Sequence, residues 1–456
     1  MDERAYVQGL IDKARVAQKI FETYSQEQVD KCVRAVGKVI YDHAEELAKM
    51  AVEESGMGNW QDKVGKNKNK TRNCWYKLKG VKSRGIINYD EEECILEISK
   101  PIGVIAALCP TTNPTMTPAQ NSMIALKGGN AIIVGPHPRS KMTTIKSVEY
   151  MRGELEKLGA PVDLIQVVEN PSMTVSGLLL SMVDTCVATG GPGVVRAAYS
   201  SGKPAFGVGP GNIQALIDRD VDLDKAVEMI IKGRTNDNGV LCTCEQSTIC
   251  PAEKYDQMIA AMKSKGVYYV EDPADVQKVR ENLFPDGNIS KLAIGRPAKE
   301  IADLCKLENV PDDIKMILVK VEKSGADEVL AKEKLCLVQC AYAYDKWEDG
   351  VEIAYRNIMN EGTGHSMVIH SNNKEHIEEV AEKIPVSRFV VNQVGSSGIG
   401  GALDNGLLPT ATLGAGTWGG NSLSGNLWWN HLVNISRLAY VNKDRKVPTD
   451  EEIWAE

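Results

Sequence analysis

Apolar positions along the chain change texture near residue 85. Before it they keep helical spacing: Ser25-Gln-Glu-Gln28 is a capping-box pattern, and Val29, Val33, Val36, Ile40, Leu47 and Val52 follow until Gly56 and Gly58 close the segment. From Cys94 the period shortens. The stretch ILEIS alternates as a half-exposed strand, and PIGVIAALCP, Pro101 to Pro110, is a continuous apolar run of the kind a doubly buried strand needs. Strand and helix patterns then alternate: AIIVG (131–135) before a helix over Met142 to Leu158, LIQVV (164–168) before one near Val175 to Met182, and CVATGG before one from Val194 to Ser200.

Such alternation predicts an α/β fold with a parallel sheet covered by helices on both faces, whose ligands bind beyond the carboxyl ends of the strands. A second unit starts near Asp222 and carries its own strand-like runs, MILVKV, LVQCAYAY, MVIH and FVVNQV, to about Asn421. The closing stretch LSGNLWWNHLVNISRLAYV is expected to return and pair with ILEIS as an arm.

Composition narrows the class. A chain of 456 residues has room for two or three domains at roughly 150 residues each. The net charge of −8 disfavours a nucleic-acid or anionic-membrane surface, and no apolar run approaches the roughly 18 residues that cross a bilayer. The N-terminal stretch alternates charge with apolar positions and lacks the basic and apolar regions of a secretory signal. An odd set of 11 scattered cysteines indicates reduced thiols and a cytoplasmic location.

Candidate chemistry centres on NDNGVLCTCEQ, Asn236 to Gln246. The C-x-C spacing of Cys242 and Cys244 suits neither a structural zinc site nor a C-x-x-C dithiol, and the pair Cys336 and Cys340 lies in a strand-like run, so no metal is expected. What remains is one nucleophile or two inert thiols. The Asn238-Gly239 turn and the polar residues after Cys242 suit the rim of a cleft.

In CPTTNP, Cys109 to Pro114, two prolines bracket Asn113; the loop is either simple punctuation or a stiff mount for an amide that stabilises an oxyanion. Two glycine clusters, Gly190 to Gly193 and Gly207 to Asn212, follow strand-like segments and either permit tight turns or line a nucleotide cleft, although the G-x-G-x-x-G fingerprint is missing.

Six motifs in order, Thr112-Asn113-Pro114, GVGPGN from Gly207, Asn238-Gly239-x-x-Cys242, Glu333-Lys-Leu, Gly362-Thr-Gly-His365 and TWGGNS from Thr417, together resemble the aldehyde dehydrogenase superfamily, specifically its CoA-acylating branch. The resemblance spans nearly the whole chain. It implies a Rossmann-type nucleotide-binding domain over 1–221, with 86–101 contributing to an oligomerisation arm. It further implies an α/β catalytic domain over 222–421, a C-terminal segment 422–456 returning to the arm, and a homodimer or higher oligomer.

By position it makes Cys242 the nucleophile and Asn113 the oxyanion amide, and it places His365 near the active site, where the other reading is a structural histidine. Cofactor contacts are expected from Thr112, Gly190, Gly191, Gly193, Gly207, Val208, Gly209 and Glu333, the last on the nicotinamide ribose. Pro136, His137 and Arg139 fall where the adenosine ribose is held, and Arg139 suits either a 2′-phosphate or solvent, leaving NAD or NADP open.

The implied reaction is oxidation of an aldehyde, with coenzyme A taking the acyl group from Cys242. A short anionic aldehyde, succinate semialdehyde or sulfoacetaldehyde, is the expected substrate, with Ser396, Ser397 and Ser422 as candidates for its far end. Hydrolytic members carry a glutamate where this chain has Gly207, so that glycine marks either the absence of a water-activating base or a need for positive φ. A hydrolytic dehydrogenase, an acyl-phosphate reductase and a nucleotide-binding scaffold are the rival readings.

Overall fold

The computed structural model describes residues 2–456. Four helices open it: Glu3–Phe21, Gln26–Asp42, Ala44–Ser55 and Trp60–Leu78. The capping box forms as read, with Ser25 N–H donating to Gln28 Oε1 at 2.8 Å and Gln28 N–H donating to Ser25 Oγ at 3.3 Å. The apolar run from Val29 to Val52 is divided at His43 into two helices, and Gly56, at φ 67°, ends the second.

The first sheet has five parallel strands in the order Ile165–Val167, Ala131–Gly135, Val104–Leu108, Thr185–Thr189, Ala205–Val208. Val104–Leu108 is buried along its length, as its unbroken apolar run requires. Chain direction through the sheet reverses on either side of this strand, so the loops after Leu108 and after Thr189 frame a crevice.

A second sheet has seven strands, all parallel: Val267–Val270, Met316–Lys320, Val338–Tyr344, Glu245–Pro251, Ile213–Ile217, Met367–His370, Phe389–Val391. The strand Ile213–Ile217 pairs here, with Glu245–Pro251 and Met367–His370, so the change of sheet falls between Val208 and Ile213 rather than at 221. Helix Met116–Lys127 escaped the sequence reading because every one of its residues is buried, which leaves no polar face and no period.

A third, antiparallel sheet joins Gly85–Asp90, Ile95–Pro101 and Val433–Ala439. The register runs from Val433 opposite Pro101 to Ala439 opposite Ile95. Ile86, Tyr89 and Leu438 are exposed on these strands and Tyr440 just beyond them.

Candidate active site

Carboxyl ends of the first sheet meet amino ends of the second. Loops that start strands of the second sheet carry Gly211, Cys242, Glu333, His365 and Arg388, and loops that end strands of the first carry Asn113 and Gly190-Gly191.

The nucleophile loop begins where helix Leu223–Thr235 stops. Asp237 and Asn238 take left-handed φ values of 51° and 52°, which Asp and Asn tolerate better than other side chains do. Gly239 follows at φ 72°, and a Cβ there would stand 2.7 Å from the Cys336 carbonyl oxygen, so this glycine answers both a backbone and a packing demand. Helix Trp60–Leu78 clamps the turn. The fully buried Asp237 carboxylate accepts from Lys63 Nζ at 2.9 Å, from Lys66 Nζ and from Asn59 N–H at 2.9 Å, while Asp237 N–H donates to Asp62 Oδ2 at 2.7 Å.

The same helix reaches the oxyanion candidate. Lys66 Nζ donates to Asn113 Oδ1 at 2.6 Å, which fixes the sense of the amide. An ammonium has only donors, so the oxygen must face it, and the amide nitrogen, whose one acceptor among the described residues is Thr112 Oγ1 at 3.4 Å, is left to serve the cavity.

That cavity, of about 430 Å³, is lined among others by Thr112, Asn113, Gly190, Gly191, Val208, Gly209, Cys242 and Glu333. Burial first, and Glu333 second, push the Cys242 thiol up to about 12, against the opposing pull of Arg388 and Lys70. Burial raises the Glu333 carboxyl to about 8, and its Oε1 accepts from Gly211 N–H at 2.9 Å. Gly211 in turn lies under Cys242: a Cβ there would be 2.0 Å from the Cys242 carbonyl oxygen.

Gly190 and Gly191 have no side chain to fill the space at the N-terminus of helix Pro192–Tyr199, where backbone N–H groups suit a phosphate. A nucleotide with its ribose at Glu333 fits these groups. Cys244 is buried, bonded to the Asn236 carbonyl and off the cavity wall.

Several expected site residues do not line this cavity. Pro136, His137 and Arg139 follow the strand Ala131–Gly135 and turn to the helical layer, Arg139 Nη2 donating to the Ser55 carbonyl at 3.2 Å. Gly193 sits within the first turn of its helix. Gly207 is not at positive φ; a Cβ there would stand 2.8 Å from both Tyr199 Cε2 and Val195 Cγ1, so the constraint is space.

His365 is buried and off the cavity wall, and burial and Arg388 hold its ring well below the usual histidine range. Neither ring nitrogen has a partner among the described residues, and its carbonyl accepts from Arg388 Nη2 at 2.7 Å. Ser396 and Ser397 line a second cavity, of about 540 Å³, with Lys66, Lys70, Arg72 and Asn236. Ser422 lines neither cavity, and its hydroxyl is taken by the Ala205 carbonyl, which removes the substrate contact expected of it.

Sequence reasoning missed Lys63, Lys66, Lys70, Asp237 and Arg388. The three lysines stand at i, i+3 and i+7 in line with Cys74 and Leu78, and this shared stripe with core residues was the available signal.

Fold and site define an α/β enzyme that presents a thiol to a nucleotide cleft. The family model "Aldehyde dehydrogenase family" matches residues 2–278, and the chain belongs to that family, as an oxidoreductase acting on aldehyde groups. It is 50% identical over 454 residues, covering 100% of both chains, to the succinate-semialdehyde dehydrogenase (acetylating) of Clostridium kluyveri. It is 38% identical over 456 residues, covering 98% of this chain and 97% of the other, to the sulfoacetaldehyde dehydrogenase (acylating) of Bilophila wadsworthia. The crystal structure of an acetylating aldehyde dehydrogenase from Geobacillus thermoglucosidasius superposes with a TM-score of 0.93 at 35% identity, covering 98% of each chain. The propionaldehyde dehydrogenase of Rhodopseudomonas palustris, solved with bound CoA and an acylated cysteine, gives a TM-score of 0.85 at 27% identity, covering 95% of this chain and 97% of that one.

Proposed function

We propose that the chain is a CoA-acylating aldehyde dehydrogenase that converts a short anionic aldehyde, CoA and NAD(P)⁺ reversibly to the acyl-CoA and NAD(P)H. The observation that carries this reading is the cavity shared by Cys242, the oriented Asn113 amide and Glu333, with no carboxylate at Gly207. Cys242, as thiolate, attacks the carbonyl carbon. Asn113 Nδ2 and the Cys242 backbone N–H stabilise the oxyanion. The bound nicotinamide supplies the hydride acceptor, for which Glu333 and the Gly190-Gly191 turn form the binding groups.

Loss of hydride leaves an acyl thioester on Cys242, and a CoA thiolate attacks its carbonyl carbon, giving the acyl-CoA and releasing the Cys242 thiolate. Water attacks a thioester poorly without a general base, and Gly207 has none to offer.

Succinate semialdehyde is the preferred substrate on this reading, supported by the identity to the Clostridium enzyme, with sulfoacetaldehyde next and acetaldehyde or propionaldehyde behind. Either NAD or NADP serves, with NADP favoured through Arg139. The three-stranded sheet with exposed Ile86, Tyr89 and Leu438 is the surface for a homodimer. The odd, scattered set of 11 cysteines is read as reduced thiols in a cytoplasmic setting. Among the described residues no helix is long and apolar enough to cross a membrane.

The test is reduced-cofactor formation from a panel of aldehydes with and without CoA, on wild type, Cys242→Ala and Cys244→Ala. CoA-dependent turnover should vanish in Cys242→Ala and persist in Cys244→Ala. Activity surviving in Cys242→Ala would sink the mechanism.

A further inference from the structure

The second cavity shares no lining residue with the first and lies beside the reacting groups. Lys66 lines it while touching Asn113, and Asn236, another of its lining residues, opens the turn Asn236–Gly239 that leads to Cys242. Lys70 stands one helical turn beyond Lys66, about 6 Å along the axis, the reach of a short aldehyde from its carbonyl to its far end.

Lys63 and Lys66 are both paired with Asp237, whereas Lys70 has no carboxylate within 4.0 Å among the described residues. Its Nζ donates to the Gly400 carbonyl at 2.9 Å, which leaves two N–H donors free. Gly400 itself makes the space, since a Cβ there would stand 2.5 Å from Nζ. Two acids line the same cavity and neither pairs with it: Asp62 accepts from Asn59 Nδ2 and Asp237 N–H, and Asp404 is exposed at the rim. Arg72 is exposed too, and bonded to Asn69 Oδ1 at 3.0 Å. A partly buried cation with no counter-ion costs folding energy that a bound anion would offset.

We infer that Lys70 is the specificity residue that binds the carboxylate or sulfonate at the far end of the aldehyde, with Ser396 and Ser397 on the facing wall. This rests on the acylating reading above and names how that site selects its substrate. The cation also lies close enough to Cys242 for each to shift the other's titration, so a role on the thiol alone is the competing outcome.

The experiment compares kcat/KM for succinate semialdehyde and butyraldehyde, each with CoA, in wild type, Lys70→Met and Lys70→Arg. Lys70→Met should lower the anionic-to-neutral ratio roughly 10- to 100-fold, as expected for one charge-assisted hydrogen bond, and Lys70→Arg should keep most of it. The ratio is independent of how much of a variant folds. A reading that needs no turnover is the ratio of Cys242 alkylation rates by iodoacetate and iodoacetamide, which should fall from wild type to Lys70→Gln.

An equal fall for both aldehydes, or an unchanged alkylation ratio, overturns the inference, because a cation acting only on the thiol affects both reagents alike. Wild type that acylates CoA from butyraldehyde at least as well as from either anionic aldehyde overturns it as well and leaves the acylating reading standing. Absence of CoA-dependent turnover with every aldehyde ends that reading, and the alkylation ratio then decides on Lys70 by itself.

Discussion

Gly207→Glu returns a carboxylate to the position where hydrolytic relatives are expected to hold their base, and the structure sets the terms on which it can work. The backbone at 207 is not left-handed, so no φ penalty applies. The obstacle is the helix Pro192–Tyr199, whose Val195 and Tyr199 side chains stand 2.8 Å from the position of the new Cβ. Overpacking of this kind costs roughly 1–3 kcal/mol, or a Tm lower by roughly 1 to 3 °C in a chain of this size.

Gly207→Ala carries the same Cβ without the acid and measures that cost alone. The double variant Gly207→Glu, Val195→Ala opens room beside the new side chain and leaves the Tyr199 hydroxyl free to keep its bonds from Gly207 N–H and Ser422 N–H. A positioned general base contributes roughly 10²–10⁴-fold to a rate, and an imperfect placement should keep at least a tenfold part of it.

The assay follows reduced cofactor and free acid together without CoA. Wild type should give a burst of about one equivalent per site and then slow turnover, as an unrelieved acyl-enzyme requires, and the double variant should sustain acid release. Sustained acid production by wild type at its CoA-supported rate refutes the reasoning, and so does an equal gain from Gly207→Ala.

Two further outcomes follow from buried groups. If Lys66 acts by orienting Asn113, then Lys66→Met should lower kcat about 10²-fold with little change in KM, and it should cost far less in an Asn113→Ala background; additive losses in that double-mutant cycle would show that the 2.6 Å bond does not transmit the effect. His370 is fully buried, its ring nitrogens have no partner among the described residues, and burial lowers it from an ordinary 6.5 to about 4. The unfolded chain therefore binds this proton first as pH falls, so stability drops from about pH 6.5 downward, by about 2 kcal/mol at pH 5 from this group. His370→Gln should lose less stability between pH 7.5 and pH 5 than wild type does, measured by urea unfolding, and an unchanged pH dependence would refute the assignment.

The fold was legible where burial is one-sided or complete over a short run. ILEIS mixes apolar and polar positions because its strand is only half-buried from Ile95 to Ile98, and PIGVIAALCP is unbroken because its strand is buried along its length. Membership of a sheet was not legible: Ile213–Ile217 reads like any buried strand, and nothing local says that it pairs with Glu245–Pro251 across the cleft. At the site, the sequence exposed residues that must be a particular type, Cys242, Asn113 and the glycines that let backbones approach. It hid Lys66 and Lys70, because a lysine in a polar helix reads as solvated until tertiary packing turns that face inward.

Charge around Cys242 is sorted by side, and this bears on how two ligands share one thiol. The first cavity brings Glu333, a carboxyl that burial leaves easy to protonate when the cavity is empty, and the second cavity brings Lys70 and Lys66. An oxidised nicotinamide carries a positive charge and a succinate-type aldehyde a negative one. On the proposed reading, an ionised Glu333 would attract the first and Lys70 the second, so the layout would favour the correct pairing over the exchanged one. The thiol between them responds in the same sense: Glu333 raises it and Lys70 lowers it, so a bound cation on the first side favours the thiolate and a neutralised Lys70 on the second opposes it. Both walls are tied to the nucleophile: Gly211 joins Glu333 to the Cys242 backbone, and Lys66 joins Asn113 to Asp237, five residues before Cys242.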